Sequence, residues 1–211
     1  MPWWLFDKQN KDFPRGYHIE IGGGYRMPAI GFGGNTIQRH GGYGQNLKSA
    51  IRREYGCFVG LSGRGEMIPN NLSYCEIDPN VIDQFGIPVL RFHFRWSDHE
   101  WKQARHMEKT FQAIIETMGG AVHDSNGPGF EGNGISVPGT IIHEVGTVRM
   151  GDHARSSALN RFNQGHETPN LFVVDGGCFV GNPDKNPTLT INALSWRASD
   201  YLAEEMRRGN V

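Results

Sequence analysis

His143 opens the stretch HEVGTVRMG, and Pro187-Thr188 opens the helix-like run TLTINALSWRASDYLAEEMRR. Histidine is the side chain best suited to exchanging a proton near neutral pH. A helix start with proline at or just before its first turn presents free N–H groups and a positive dipole end. These favour an anion or an electron-rich oxygen by ~0.3 to 1 kcal/mol, and by up to ~2 kcal/mol when partly buried. One half of a site is therefore a proton acceptor and the other half holds oxygen. A plainer reading of the same residues stays open: His143 as a hydrogen-bonded structural residue and Asn186 as a helix cap.

These residues must be carried by elements. NLFVVD supplies an apolar, β-branched run from Leu171 to Val174 bounded by Asn170 and Asp175-Gly176-Gly177, the pattern of a buried strand ending in a turn. A loop with Pro183 and Pro187 follows, then a helix from about Thr188. Its Ile191, Leu194, Ala198 and Leu202 share one face, and Arg207 and Arg208 suit the negative dipole end. A short apolar strand, GTII, is expected to end at His143.

Upstream, EMIPN and SYCEID flank a turn at Asn70-Asn71. VLRFHFRW alternates Leu90, Phe92, Phe94 and Trp96 against Arg91, His93 and Arg95, which predicts an antiparallel sheet with one face buried under the next helix. That helix opens with a capping box at Ser97 and Glu100 and stops at Gly119-Gly120. An apolar stripe runs along it through Trp101, Ala104, Met107, Phe111 and Ile114 or Ile115 to Met118. His99 and His106 on it read as surface residues, not at metal-pair spacing. The fold class is α+β.

The glycine-dense region from Gly16 to Gly65 lacks the dinucleotide fingerprint G-x-G-x-x-G. Gly31-Phe32-Gly33-Gly34 lacks the third glycine at the right distance, so turns and close backbone contacts are expected there, with a short helix over 46–55 stopped by Gly56. The loop HDSNGPGFEGNGISVPG is long enough to be functional.

Lysine plus arginine (21) nearly balance aspartate plus glutamate (22), for a net charge of −1, so nothing marks the chain for nucleic acid or an anionic membrane. No stretch approaches the roughly 18 to 20 apolar residues of a membrane helix. Cys57, Cys75 and Cys178 form no CxxC and read as buried thiols. MPWWLFDKQNKDFPRG lacks the pattern of a signal peptide and reads as the middle of a protein, so the compartment stays open.

The order H-x-x-G-T-x-R-M-G, then N-L-F-V-V-D-G, then N-P-T-x-T-I and a closing helix resembles the C-terminal signature of the glucose–methanol–choline oxidoreductases, and most of all their sugar dehydrogenase and pyranose oxidase branch. The likeness is specific over about the last seventy residues and looser through GEMIPNNLSYCEIDPNVIDQFGIPVLRF. It implies flavin adenine dinucleotide (FAD) as cofactor, a small alcohol or sugar as substrate, and hydride transfer to the flavin. It further implies His143 as general base and Asn186 as a hydrogen-bond partner of the same substrate oxygen. Asp175 and Gly176 would meet the ribityl and phosphate region, and Asn186, Pro187 and Thr188 the flavin ring. Arg149 is either an electrostatic partner of that ring or an anchor for its own loop.

The architecture so implied is a substrate (cap) domain over residues 1–169, incomplete at its amino end, and the last strand and helix of a Rossmann-like FAD-binding domain over residues 170–211. The family's glycine fingerprint lies at the far amino end of a much longer chain, so a further amino-terminal half is the expected partner. The electron acceptor stays open, and no metal is expected. Two other classes remain: an inert remnant without cofactor, and a carbohydrate-binding module built on Trp3, Trp4 and the aromatic strand.

Overall fold

The computed structural model describes residues 12–23, 32–122 and 134–211. Trp3, Trp4 and much of the loop beginning at His123 therefore lie outside the described residues. The chain divides into two compact units, one of Ile19–Arg64 and one of the residues up to His18 together with Gly65–Val211.

In the smaller unit, strand β1 (Tyr17–Gly23, its first two residues belonging to the larger unit) pairs with β2 (Val59–Gly65). Helices α1 (Phe32–His40) and α2 (Gln45–Glu54) lie between them in sequence. Helix α2 matches the expectation closely and stops as predicted, with Gly56 at φ 84°. Helix α1 corrects the reading of its glycines as loop: Gly33 and Gly34 fall inside it. Arg39 and His40 at the end of α1 hold Glu54, and the Arg39 hydrogen bond is the main cause of a Glu54 carboxyl below its usual range. A side chain at Gly23 would place its Cβ 2.3 Å from the Phe58 carbonyl oxygen, so only glycine fits.

The larger unit begins with an antiparallel hairpin, β3 (Tyr74–Ile82) and β4 (Pro88–His93), in the register Cys75 to Phe92 and Ile77 to Leu90. Its turn is set by the Asp83 carboxylate, which accepts from Phe85 N (2.8 Å) and Ile87 N (2.9 Å). The sheet departs from expectation in three ways. EMIPN forms no strand, only a bridge at Met67 to Asn182. β4 ends at His93, short of Trp96. The face of Ile77, Leu90 and Phe92, expected to be buried, is open at 65, 53 and 65 % exposure. Alternation marks a face that can be covered; it does not supply the cover.

Helix α3 (Asp98–Thr117) has the full capping box of Ser97 and Glu100 and is followed by Gly119 at φ 73°. It packs inward on Glu100 and Gln103, both buried. Glu100 accepts from Ile68 N (3.2 Å), and Gln103 donates to the Gly16 carbonyl (3.0 Å). His106 is not the surface residue expected: its Nδ1 lies 2.8 Å from the hydroxyl of buried Tyr17, beside Thr110 and Phe13. Burial is the chief reason that His106 is pushed below and Tyr17 above their ordinary values.

From Gly134 to Pro187 the chain is irregular yet closely bonded. GTII is no strand but a bend, with Ile142 89 % exposed. NLFVVD is not the buried strand predicted either. It carries one bridge, Gln164 to Phe172, and Leu171 and Val174 are exposed, because no strand lies beside it among the described residues. Its backbone is bound instead to the preceding loop, with Val173 N donating to Asn163 O and Gly165 N to Leu171 O (both 2.9 Å).

Helix α4 (Thr188–Arg208) closes the chain as expected. Ala198 is buried, Gly209 takes the left-handed conformation after its last turn, and Ile191 and Leu194 pack on the core of Leu159, Cys178 and Phe179. Of the cysteines only Cys178 is the buried thiol predicted; Cys57 is exposed and Cys75 half-buried.

Candidate functional site

The segment Gly146–Met150 runs beside the turn Gly176–Cys178. Gly146 N donates to Gly176 O (3.1 Å), Val148 N to Gly177 O (3.0 Å) and Met150 N to Cys178 O (2.9 Å). The turn can be this close because of its glycines: a Cβ at Gly176 would lie 3.2 Å from Glu144 O, and one at Gly177 2.8 Å from Thr147 Oγ1. Asp175 caps the turn by accepting from Gly177 N (2.7 Å) and is itself exposed. The Cys178 thiol donates to Asp175 O (3.0 Å), and burial raises it above the ordinary cysteine value, which leaves it a poor nucleophile.

His143 stands just before this ladder, half-buried, and among the described residues its ring makes no hydrogen bond. Its main-chain carbonyl accepts from Asn182 Nδ2 (3.1 Å). Asn182 belongs to the loop 179–187, which carries Asn186 and leads into α4. The same loop is fastened again where Asp184 meets His18 (3.4 Å) and Lys185. So His143, the turn at Asp175-Gly176 and the loop ending in Asn186 are connected by the main-chain ladder and by the Asn182 side chain.

Asn186 is exposed and is not the cap of α4. Pro187, buried, stands in the cap position, and no side chain bonds the first turn. The helix therefore opens with the N–H groups of Thr188 and its neighbours unclaimed by any capping side chain, beside an exposed carboxamide. Such an end holds negative charge or an electron-rich oxygen.

Arg149 resolves in part toward its structural reading: Nε donates to Ser156 O (3.0 Å), bracing the loop that follows. It also lines an open depression of about 350 Å³ with Gly146, Thr147, Ser156 and Ser157. Neither this depression nor a second of about 240 Å³ beside Phe162 and Tyr201 includes His143 or Asn186.

Two residues that hold the site together were not singled out from the sequence. Asn182 is one; the signal was the repeated Asn-Pro of NPDKNP, which forces two extended positions into one short loop. Asn163 is the other. It is fully buried at φ 66°, its carboxamide donates to Val173 O (2.9 Å), and its side-chain oxygen faces Arg197 (3.4 Å).

Among the described residues there is no group of histidine, cysteine or acidic side chains fit for a metal, and no helix long and apolar enough to cross a membrane. The residues present fit one part of a flavin: an uncapped helix start would suit the electron-rich edge of its ring, whereas the glycine-dense region from Gly16 to Gly65 holds no G-x-G-x-x-G for a pyrophosphate.

Comparison with known proteins gives the family. Residues 71–195 match the model described as GMC oxidoreductase, and the chain belongs to that family. It corresponds to the C-terminal part of such proteins, in the branch of the sugar dehydrogenases and oxidases. It is 27 % identical to 2-methyl-1,2-propanediol dehydrogenase of Mycolicibacterium austroafricanum over 92 % of this chain and 34 % of that one. It is 27 % identical to the gluconate 2-dehydrogenase flavoprotein of Pantoea cypripedii over 77 % of this chain and 26 % of that one. It is 34 % identical to C-glycoside 3-oxidase of Arthrobacter globiformis over 61 % of this chain and 24 % of that one. The chain thus spans about a third or less of the curated relatives it matches.

Proposed function

We propose that this chain supplies the substrate-handling part of a flavin-dependent enzyme that oxidises a CH–OH group of a sugar or related small alcohol. The observation that carries the reading is the direct hydrogen bond from the loop of Asn186 to the backbone of His143, at the opening of a helix that no side chain caps. FAD, when bound, supplies the hydride acceptor.

His143 takes up the proton of the substrate hydroxyl at a free ring nitrogen, which makes hydride loss from the carbon easier. Asn186 donates a hydrogen bond to the same oxygen and orients the carbon. The N–H groups at Thr188, with Pro187 shaping the approach and the dipole of α4 behind them, would hold the electron-rich edge of the flavin ring. Asp175 and Gly176 would hold the ribityl and phosphate region of FAD. Residues 1–169 serve the substrate side, and residues 170–211, with α4, belong to the FAD-binding side.

Two observations favour a working unit larger than these 211 residues: the fraction of each relative that the chain spans, and the open apolar surface at Ile77, Leu90, Phe92 and Trp196. The missing piece in this reading carries the adenosine pocket. The aromatic carbohydrate platform at Trp3 and Trp4 lies outside the described residues.

An absorbance spectrum tests the reading. Purified chain mixed with FAD and freed of excess is expected to retain little flavin on its own. The enzyme assembled with its FAD-binding partner segment is expected to retain the flavin band and to lose it anaerobically on addition of an aldose or sugar alcohol. A retained band that no member of a panel of such alcohols bleaches contradicts the proposal.

A further inference from the structure

We propose that Asn182 is the positioning residue of this site, holding His143 in register with the loop that carries Asn186; the proposal rests on the roles given above to those two residues. Three hydrogen bonds converge on it. Its Nδ2 donates to the His143 carbonyl (3.1 Å), its main-chain carbonyl accepts from Met67 N (2.9 Å), and its main-chain N–H donates to Met67 O (3.4 Å). One residue therefore ties together the segment after β2, the chain at His143, and the loop four residues ahead of Asn186.

The sequence explains why this position can do so. Pro183 follows Asn182 and disfavours the helical region for the residue before it, leaving the extended backbone that a bridge to Met67 requires. A Cβ placed on the preceding Gly181 would meet Pro69 Cδ at 3.6 Å and Met67 O at 3.8 Å, ordinary contact distances, so the loop is not forced to have glycine there.

The chemistry of the bond then makes the side chain specific. A main-chain carbonyl has no proton to give, so its partner must donate, and the carboxamide must turn its NH2 toward His143. Aspartate has the same shape but at neutral pH only accepts. It would set a carboxylate oxygen against the carbonyl oxygen. Alanine would leave the carbonyl without this partner. Either change frees the backbone of the residue whose ring handles the proton, and displacement on the order of 1 Å at a reacting group costs about 10²-fold in rate.

This yields an order that mere space-filling does not. If donation matters, His143 is held best with Asn182, less well with Asn182→Ala and worst with Asn182→Asp. If only shape matters, Asn182→Asp resembles the unsubstituted chain and Asn182→Ala is worst.

The experiment is NMR on the isotope-labelled full chain. In the unsubstituted chain a scalar coupling through the hydrogen bond, from Asn182 Nδ2 to the His143 carbonyl carbon, is expected. The His143 amide order parameter is expected near the rigid value of about 0.85, dropping toward 0.6 or below in the variants and furthest in Asn182→Asp. Far-ultraviolet circular dichroism checks that α4 persists. Absence of the coupling overturns the proposal without needing any variant to fold, as does an Asn182→Asp chain whose His143 is as ordered as the original. Neither result bears on whether His143 is the base, which is settled separately by its own replacement.

Discussion

Leu159, Cys178 and Phe179 are buried beneath Val145, Val173 and Ile191, whereas Ile77, Leu90 and Phe92 stand open on one face of the β3–β4 hairpin. The first region has almost no regular structure apart from α4, the second has a regular antiparallel ladder. Order in the backbone and burial of the side chains are thus separate achievements. From Gly146 to Phe179 burial comes from glycines that permit contact and from asparagines that bond the backbone of irregular segments. At the hairpin the ladder forms locally, and its apolar face stays exposed.

If this contrast holds, substitutions in the two regions differ sharply in cost. The largest effect is expected at Asn163. Alanine there loses the bonds to Val173 and Arg197 and is forced into a left-handed conformation, at a cost of roughly 2 to 4 kcal/mol in urea unfolding. A loss below about 0.5 kcal/mol would show that the irregular region is not held by such residues. Next comes Gly165→Ala, whose Cβ would lie 2.9 Å from the Thr168 carbonyl oxygen. That oxygen is already fixed by Leu171 N, so about 1 to 3 kcal/mol of overpacking is expected by the same measurement.

A smaller effect is expected from acid at the Tyr17–His106 contact. Burial depresses His106 in the folded chain, so its neutral form is the one that folds. The stability this contributes is complete above the ordinary histidine value of about 6.5 and declines as pH falls from there toward the lowered folded value. The urea midpoint should drop between pH 7.5 and 5.5, and His106→Gln should flatten part of that slope. An unchanged slope in the variant would rule out His106 as a contributor.

The smallest effect belongs to the hairpin: Leu90→Thr and Phe92→Thr should each shift stability by no more than about 0.5 kcal/mol while raising solubility. A loss of 2 kcal/mol or more at either would mean that the face is covered within this chain, and the contrast between the regions would fail.

What could be read from the sequence follows the same line. Helices α2, α3 and α4 were legible almost to the residue because their caps, stops and apolar faces are local: Ser97 with Glu100, Gly56, Gly119, and Arg207-Arg208 before Gly209. The strands of NLFVVD, GTII and EMIPN were not, since a strand exists only with a partner and none lies beside them among the described residues. The placing of His143 near the Asp175 turn was foreseeable only through the family pattern. The residue that links His143 to the loop of Asn186, Asn182, showed in the sequence as no more than an asparagine before a proline.

The most direct test of the proposed site is the turnover of the assembled, flavin-loaded enzyme with His143→Ala under saturating substrate. Loss of the general base predicts a fall of about 10²- to 10⁴-fold with the flavin still bound. Turnover within a few fold of the original would remove His143 from the chemistry and, with it, the proposed reading of this segment as the substrate-handling part of an alcohol oxidoreductase.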